Sequence, residues 1–190
     1  MVYPDVVSER AFRAATRNLN SNADAEGVAA SLSCGSFIRF YLTVDDGSVV
    51  KDVGVSSNGC GYMLAAADVL CEFVARRHLA ELHGLNDSEL SALISNFLGP
   101  PPVGRTACSK IAIEALRSAF ADLRSKRVEE FRGETPLICS CFGVSQDRIE
   151  AAIRERFLET VDEVTDVCNA GGGCGSCRML IQELLDTTPR

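Results

Sequence analysis

Apolar and polar positions alternate with different periods along the chain, and the changes of period mark its elements. Val6 to Arg17 carries the spacing of a short amphipathic helix. Phe37 to Val44 is rich in aromatic and branched residues and reads as a strand. Asp45, Asp46 and Gly47 form a turn, and Val49 to Val55 is a second strand, so the two make a hairpin. A long helix is predicted from about Gly61 to Leu82, ended by Gly84. Asn86 stands three residues before Glu89, a capping pair that opens a helix to about Leu98. The run from Gly99 to Gly104, with three prolines, breaks the chain. The last helix of this part spans about Cys108 to Lys126, with Ile111, Ala115, Leu116, Ala119, Phe120 and Leu123 on its apolar face. Strands followed by helices predict an α+β layer, an antiparallel sheet with helices packed on it.

The pattern then resets. Residues 128–137 are charged and contain Gly133 and Pro136, which predicts a linker between a first domain, residues 1–127, and a second, residues 138–190. In the second, Ser145 caps a helix through about Phe157. Thr160 and Glu163 form a capping box for another. Residues 169–173 are a loop, and a third helix runs from Cys177 to Leu185. The expected unit is small and all-helical, and a domain of this size buries too little core to be secure without a staple such as a metal.

Composition narrows the classes. Of 190 residues, 46% are hydrophobic and 24% charged, which is ordinary for a globular chain. Its most apolar stretch, Gly61 to Ala75, contains Asp68 and Glu72, so no membrane span is expected. Asp5 and Glu9 stand where a secretory signal would be basic and then apolar, and the expected location is cytoplasmic. The net charge of -7 argues against a general nucleic-acid binder, which needs a basic surface. The acidic excess is concentrated in residues 128–190.

Nine cysteines change the picture most. The count is odd, and in a reducing compartment clustered thiols suggest metal or redox chemistry. The only histidines, His78 and His83, are five residues apart and would point about 140° from each other on a helix, so sulfur must be the main ligand. Cys139 and Cys141 form a C-x-C pair, and after 32 intervening residues Cys174 and Cys177 form a C-x2-C pair. Four thiolates can close a tetrahedral zinc site or bind two irons bridged by sulfide. Gly171, Gly172, Gly173 and Gly175 let backbone bend around an inorganic core and offer N–H donors to its sulfurs, which favours the iron–sulfur reading, with zinc next. A redox dithiol at Cys139 and Cys141 fits the remote second pair less well.

Cys139-Ser-Cys-Phe-Gly-Val144, the helix from Val161 to Thr165 and Ala170-Gly-Gly-Gly-Cys-Gly-Ser-Cys177 resemble, in order, the [2Fe-2S] domain of bacterioferritin-associated ferredoxin. The same module forms the middle of NifU-type iron–sulfur assembly proteins. The resemblance implies that Cys139, Cys141, Cys174 and Cys177 ligate a stable [2Fe-2S] cluster. Upstream, Cys34 precedes a strand, Cys60 opens the long helix between Gly59 and Gly61, and Cys108 opens the last helix. Three cysteines so placed resemble the NifU N-terminal, IscU-like scaffold, in which they converge to hold a labile cluster. That likeness implies an iron–sulfur cluster assembly scaffold or accessory protein rather than an enzyme. It further implies a cysteine desulfurase as sulfur donor, recipient apo-proteins and a homodimer.

Three features depart from the family pattern. Ser36 stands where the family has aspartate, and Ala107 where it has histidine, so a cluster or zinc ion at Cys34, Cys60 and Cys108 should be held loosely. The two likenesses together cover about residues 5–187, and the further carrier domain of the long NifU proteins is not expected in this sequence. The alternative from another class is a [2Fe-2S] electron-transfer protein that meets a reductase, its first domain a docking or dimerisation platform. Cys71 and Cys168 are expected as core residues, Cys168 with the option of replacing a lost ligand. Tyr62 and Met63 are expected to pack, and Arg76 and Arg77 to face solvent.

Overall fold

The structure is a computed structural model, and it describes residues 3–17, 22–130 and 135–189. The chain divides into two compact units, residues 1–123 and 124–190.

The first unit has an N-terminal helix α1 (Asp5–Thr16), strands β1 (Ala25–Ala30), β2 (Phe37–Val44) and β3 (Val50–Ser57), then helices α2 (Gly61–Val74) and α3 (Asp87–Leu98) and the greater part, through Leu123, of α4 (Thr106–Glu130). The strands form one antiparallel sheet in the order β1-β2-β3, with Phe40 opposite both Gly27 and Val55. Period-2 alternation puts Ile38, Phe40 and Leu42 on the face that meets the helices. They join Val53, Val55, Met63, Leu70, Ala112, Ala115, Leu116 and Ala119 in one core.

Strand β1 was not legible in the sequence, because Ala25–Ala30 is mostly small residues. Its Gly27 lies so close to the α4 backbone at Ala115 and Ala119 that no Cβ fits. A residue chosen for close approach carries no β-propensity signal.

Helix α2 is the main correction. Expected to reach Leu82, it stops at Val74. Arg76 takes a left-handed conformation, φ 63°. Its N–H donates to Val50 O at 2.7 Å, while Val50 N–H donates to Arg77 O at 2.9 Å. The edge of β3 takes up backbone groups that would otherwise have continued the helix. The capping box at Asn86 and Glu89 forms as the sequence indicates.

Helix α4 continues to Glu130, so residues 128–130, expected as linker, are helical. Residues 131–134 of that expected linker lie outside the described residues.

The second unit holds helices α5 (Gln146–Arg156), α6 (Val161–Cys168) and α7 (Arg178–Thr187). Ser145 caps α5 and the box at Thr160 and Glu163 caps α6. To the expected helices the structure adds a short antiparallel ladder, β4 (Leu137–Cys139) with β5 (Val144–Ser145). The ladder is too short to show a period in sequence. Ile149, Ile153, Val164 and Ile181 form the centre of this unit, each fully buried.

Candidate functional site: two gatherings of cysteine

In the first unit, Cys34, Cys60 and Cys108 come from three separate connections. Cys34 sits in the β1–β2 loop, which is closed by Ser31 N–H to Ser36 O at 2.7 Å and Gly35 N–H to Ser31 O at 2.8 Å. Gly35 takes a φ of 69°, which glycine adopts without strain. Asn58 ties this loop to the next one. Its Oδ1 accepts from Phe37 N–H at 2.7 Å, and its Nδ2 donates to Gly35 O at 3.5 Å.

Two residues on, Cys60 is the N-cap of α2, and its carbonyl accepts from Met63 and Leu64. Cys108 lies in the first turn of α4. The Cys60 and Cys108 sulfurs are 3.5 Å apart. Cys34 Sγ bonds to Ser36 Oγ at 3.3 Å and is exposed.

The three thiols differ in acidity for local reasons. Hydrogen bonds from Ser31 and then Ser36 lower Cys34 to about 7. Burial pushes Cys108 up to about 11, and the Cys60 sulfur beside it adds to the rise. Burial also works against the Cys60 thiolate, but the backbone N–H of Met63 and the Cys108 thiol outweigh it and the net shift is downward. Of the adjoining pair, the Cys60 thiol is thus shifted down and the Cys108 thiol up.

Sequence reasoning missed two contributors here. Arg105 hydrogen-bonds the sulfurs of Cys60 and Cys108 and acts electrostatically on Cys34. Tyr3 accepts the Gly61 N–H at 3.2 Å on its phenol oxygen. Arg105 stands three residues before Cys108, one helical turn, which was a usable signal. Nothing in the order of residues marks Tyr3.

In the second unit, Cys139 ends β4 and Cys141 lies in the turn that follows, whose Gly143 has φ 64°. Cys177 is the N-cap of α7 and Cys174 lies in the loop before it. The four thiols meet as two pairs. Cys141 donates to Cys174 at 3.5 Å, and Cys139 bonds to Cys177. Charge on Cys139 also reaches Cys141, so the pairs adjoin.

Hydrogen bonds from Ser176 lower Cys174 to about 7, while burial raises Cys177 to about 11. The glycine loop is built around Thr165, whose hydroxyl bonds to Ala170 O at 2.7 Å and Val161 O at 2.9 Å. A Cβ on Gly171 would meet that hydroxyl and the Arg178 stem at 3.1 and 3.3 Å.

Cys71 and Cys168 are buried. Burial raises Cys71 to about 12, which removes it from thiolate chemistry. Cys168 donates to Val164 O at 3.1 Å. Met63 packs in the core, and Tyr62 meets Tyr3 edge-on with ring centroids 5.4 Å apart. Arg77 lies over the Phe73 ring at 4.3 Å.

Among the described residues, no group of three or more His, Cys, Asp and Glu is arranged around one point that could hold a single metal ion. Two adjoining thiol pairs are a different donor set. Metal–sulfur bonds of about 2.3 Å at tetrahedral angles place two sulfurs about 3.8 Å apart, near the spacing of Cys141 and Cys174. One pair for each of two bridged irons is the donor set of a [2Fe-2S] cluster, so the residues fit that group. Among the described residues, no helix is long and apolar enough to cross a membrane.

An α+β unit with thiols gathered at one end, followed by a helical unit with two adjoining thiol pairs, defines the class of proteins that handle iron–sulfur clusters. Residues 3–130 match the NifU-like N terminal domain, and residues 137–187 match the BFD-like [2Fe-2S] binding domain. The chain belongs to the NifU-like family, and its second unit is a [2Fe-2S]-binding domain.

The nitrogen fixation protein NifU of Azotobacter chroococcum mcd 1 is 30% identical over 184 residues, 96% of this chain and 58% of that protein. The iron–sulfur cluster assembly scaffold protein IscU of Haemophilus influenzae is 29% identical over 101 residues, 53% of this chain and 76% of that one. The crystal structure of the N-terminal part of a nitrogen-fixing NifU-like protein from Brucella abortus superposes with a TM-score of 0.50 at 23% identity. It covers 65% of this chain and 94% of its own, and it supports the fold of the first unit. The chain thus spans a little under three fifths of the NifU of Azotobacter chroococcum.

Proposed function

We propose that this protein is a scaffold for iron–sulfur cluster assembly, with a loading site in its first unit and a resident cluster in its second. The observation that carries the reading is the meeting of Cys60 and Cys108, 3.5 Å apart, with the Cys34 loop tied to the same end through Asn58. Cys34, Cys60 and Cys108 receive the cluster as cargo. Three thiolates leave one position of a four-coordinate metal open, which suits release rather than storage. Neither Ser36 nor Ala107 closes that position. The fourth ligand then comes from a small thiol, a partner or a second copy of the chain.

Cys139, Cys141, Cys174 and Cys177 hold the resident cluster. When bound it supplies one-electron chemistry. The protein's part is to keep the donors paired. Ser176 stabilises the Cys174 thiolate, and Thr165 holds the glycine loop in the shape that lets Cys174 and Cys177 face Cys141 and Cys139. The reading places the protein in the cytoplasm as a homodimer without turnover activity of its own. Its sulfur donor is a cysteine desulfurase, and apo-proteins are its recipients.

The test is to supply iron, sulfide and thiol to purified protein and count the irons. Scaffold function requires a second, chelator-labile population lost in the Cys60→Ser variant, and transferable to an apo-ferredoxin. An electron-transfer protein instead takes up only the resident cluster and exchanges electrons with a reductase. The acidic excess of residues 128–190 favours that second reading, since it suits a basic reductase surface.

A further inference from the structure

The tripeptide Cys-Gly-Ser occurs twice, at 34–36 in the first unit and at 174–176 in the second. In both places the glycine is left-handed, with φ 69° at Gly35 and 76° at Gly175. In both the cysteine is exposed, and the serine hydroxyl two residues on meets its sulfur. The distance is 3.3 Å between Ser36 and Cys34 and 3.2 Å between Ser176 and Cys174. The surrounding folds are unrelated, so the contact belongs to the turn itself: a glycine at positive φ brings the next side chain back beside the sulfur. A thiolate bound to metal carries no proton, so there the hydroxyl is the donor.

In the second unit this turn lies on one side of an uneven donor set. Cys139 and Cys177 are buried, 2% and 7% exposed, whereas Cys141 is half-buried and Cys174 open to solvent. The sulfurs of Cys141 and Cys174 are 3.5 Å apart, near the spacing of two sulfurs on one metal. One iron thus falls to an outer pair, Cys141 and Cys174, and the other to an inner pair, Cys139 and Cys177. On the inner side Cys177 accepts the N–H of Gly171, which is itself buried. The outer side has the Ser176 hydroxyl and water.

A one-electron reductant converts one of two ferric irons to ferrous, with no bond made or broken. The added negative charge is favoured where hydrogen bonds to sulfur and solvent stabilise it. Hydroxyl and water both act on the outer pair, and burial penalises added charge on the inner one.

We propose that the added electron resides on the iron held by Cys141 and Cys174, and that Ser176 is the positioning residue that fixes it there through the Cys174 sulfur. Electrons then enter and leave at the solvent-facing edge of the second unit, and the inner iron stays ferric. This assignment rests on the reading of the second unit as the holder of a resident cluster, and it names which of the two irons works.

The test uses the full chain carrying that cluster, with iron and acid-labile sulfide measured first. Potentiometric titration followed by visible absorbance compares the unaltered chain with Ser176→Ala and Ser176→Thr. Ser176→Ala should make reduction about tenfold less favourable, a downward shift of about 59 mV for one electron. Ser176→Thr, which keeps the hydroxyl, should stay within about threefold of the unaltered chain. In the dithionite-reduced unaltered chain, NMR of the cysteine β-protons, assigned by selective labelling, reads the two irons separately. Cys141 and Cys174 should show the temperature dependence of a ferrous site, and Cys139 and Cys177 that of a ferric one.

An unmoved potential in Ser176→Ala, or a ferrous signature on the inner pair or spread over both, overturns the proposal. Where Ser176→Ala does not hold its cluster, the cysteine signatures of the unaltered chain decide alone. A second unit without iron and sulfide removes the resident cluster and this assignment with it, whereas a ferrous inner pair removes the assignment and leaves the cluster standing.

Discussion

Arg10 and Asp68 join helices α1 and α2 through a hydrogen-bonded ion pair of 2.8 Å, and the Asp68 side chain is completely buried. Arg13 and Arg17 reach the same carboxylate at 3.1 Å each, and Arg10 also holds Glu72 at 2.8 Å. A carboxylate out of contact with water is tolerated because three guanidinium groups replace its hydration. The network clamps α1 onto the helix that presents Cys60. Asp68→Ala should destabilise the first unit by about 3 kcal/mol, because the buried Arg10 then keeps only the half-exposed Glu72 as a partner. Glu72→Gln, at a half-exposed position, should cost under about 1 kcal/mol. Chemical denaturation of the two variants checks the order, and equal costs would contradict it. Arg10 holds the Glu72 carboxyl below its usual 4.5. That contribution is present above this pH and is lost as pH falls through the depressed folded value.

Cys34 should be the most reactive thiol of the first unit. Lowered to about 7 by Ser31 and Ser36 and fully accessible, it is about half thiolate at neutral pH, against about 1% for an unperturbed thiol near 9. Alkylation followed by mass spectrometry from pH 5 to 9 should give Cys34 a rate profile with its midpoint near 7. Cys71, raised to about 12, should stay unmodified throughout. A Cys34 midpoint near 9 would show that the serine hydrogen bonds do not act on the thiol.

Thr165 should govern how long the resident cluster survives. Its hydroxyl holds the Ala170 carbonyl at the start of the glycine loop. Thr165→Val keeps the volume and removes the bond, at about 1 kcal/mol. Loss of visible absorbance to a chelator should become several-fold faster, with the initial spectrum unchanged. An unchanged rate would mean that the loop keeps its shape without this bond.

The second unit should depend on its cluster to stay folded. Its two thiol pairs bring β4, the turn after it and the start of α7 together, in a unit whose helices are all short. Cys139→Ser should leave residues 135–189 sensitive to limited proteolysis while the first unit survives. A variant equally resistant in both units would contradict the coupling.

Much of this was written locally in the sequence. The capping boxes at Asn86 and Thr160 predict their helices because both partners lie within four residues of each other. The C-x-C and C-x2-C spacing singles out the four cysteines of the second unit, but not that Cys141 meets Cys174 and Cys139 meets Cys177. What escaped was decided by distant partners. Helix α2 stops at Val74 because Val50 takes up the backbone at Arg76 and Arg77, and no residue between Val74 and Leu82 announces it. Asp68 read only as an interruption of an apolar stretch, since the arginines that satisfy it lie more than fifty residues earlier. Arg105 carries no ligand signature, because a guanidinium has no lone pair to offer a metal, whereas Ala107 marks a missing ligand.

The central claim is that one chain carries two unlike cysteine sites, one resident and one for cargo. It is tested most directly by counting iron and acid-labile sulfide per chain after reconstitution, before and after brief exposure to a chelator, in unaltered protein and in Cys60→Ser and Cys174→Ser. The account predicts that the unaltered chain loses part of its iron to chelator and retains about two irons. Cys60→Ser should hold only the retained population, and Cys174→Ser should lose it. Retained iron that survives Cys174→Ser, or a labile population undiminished by Cys60→Ser, would contradict the account.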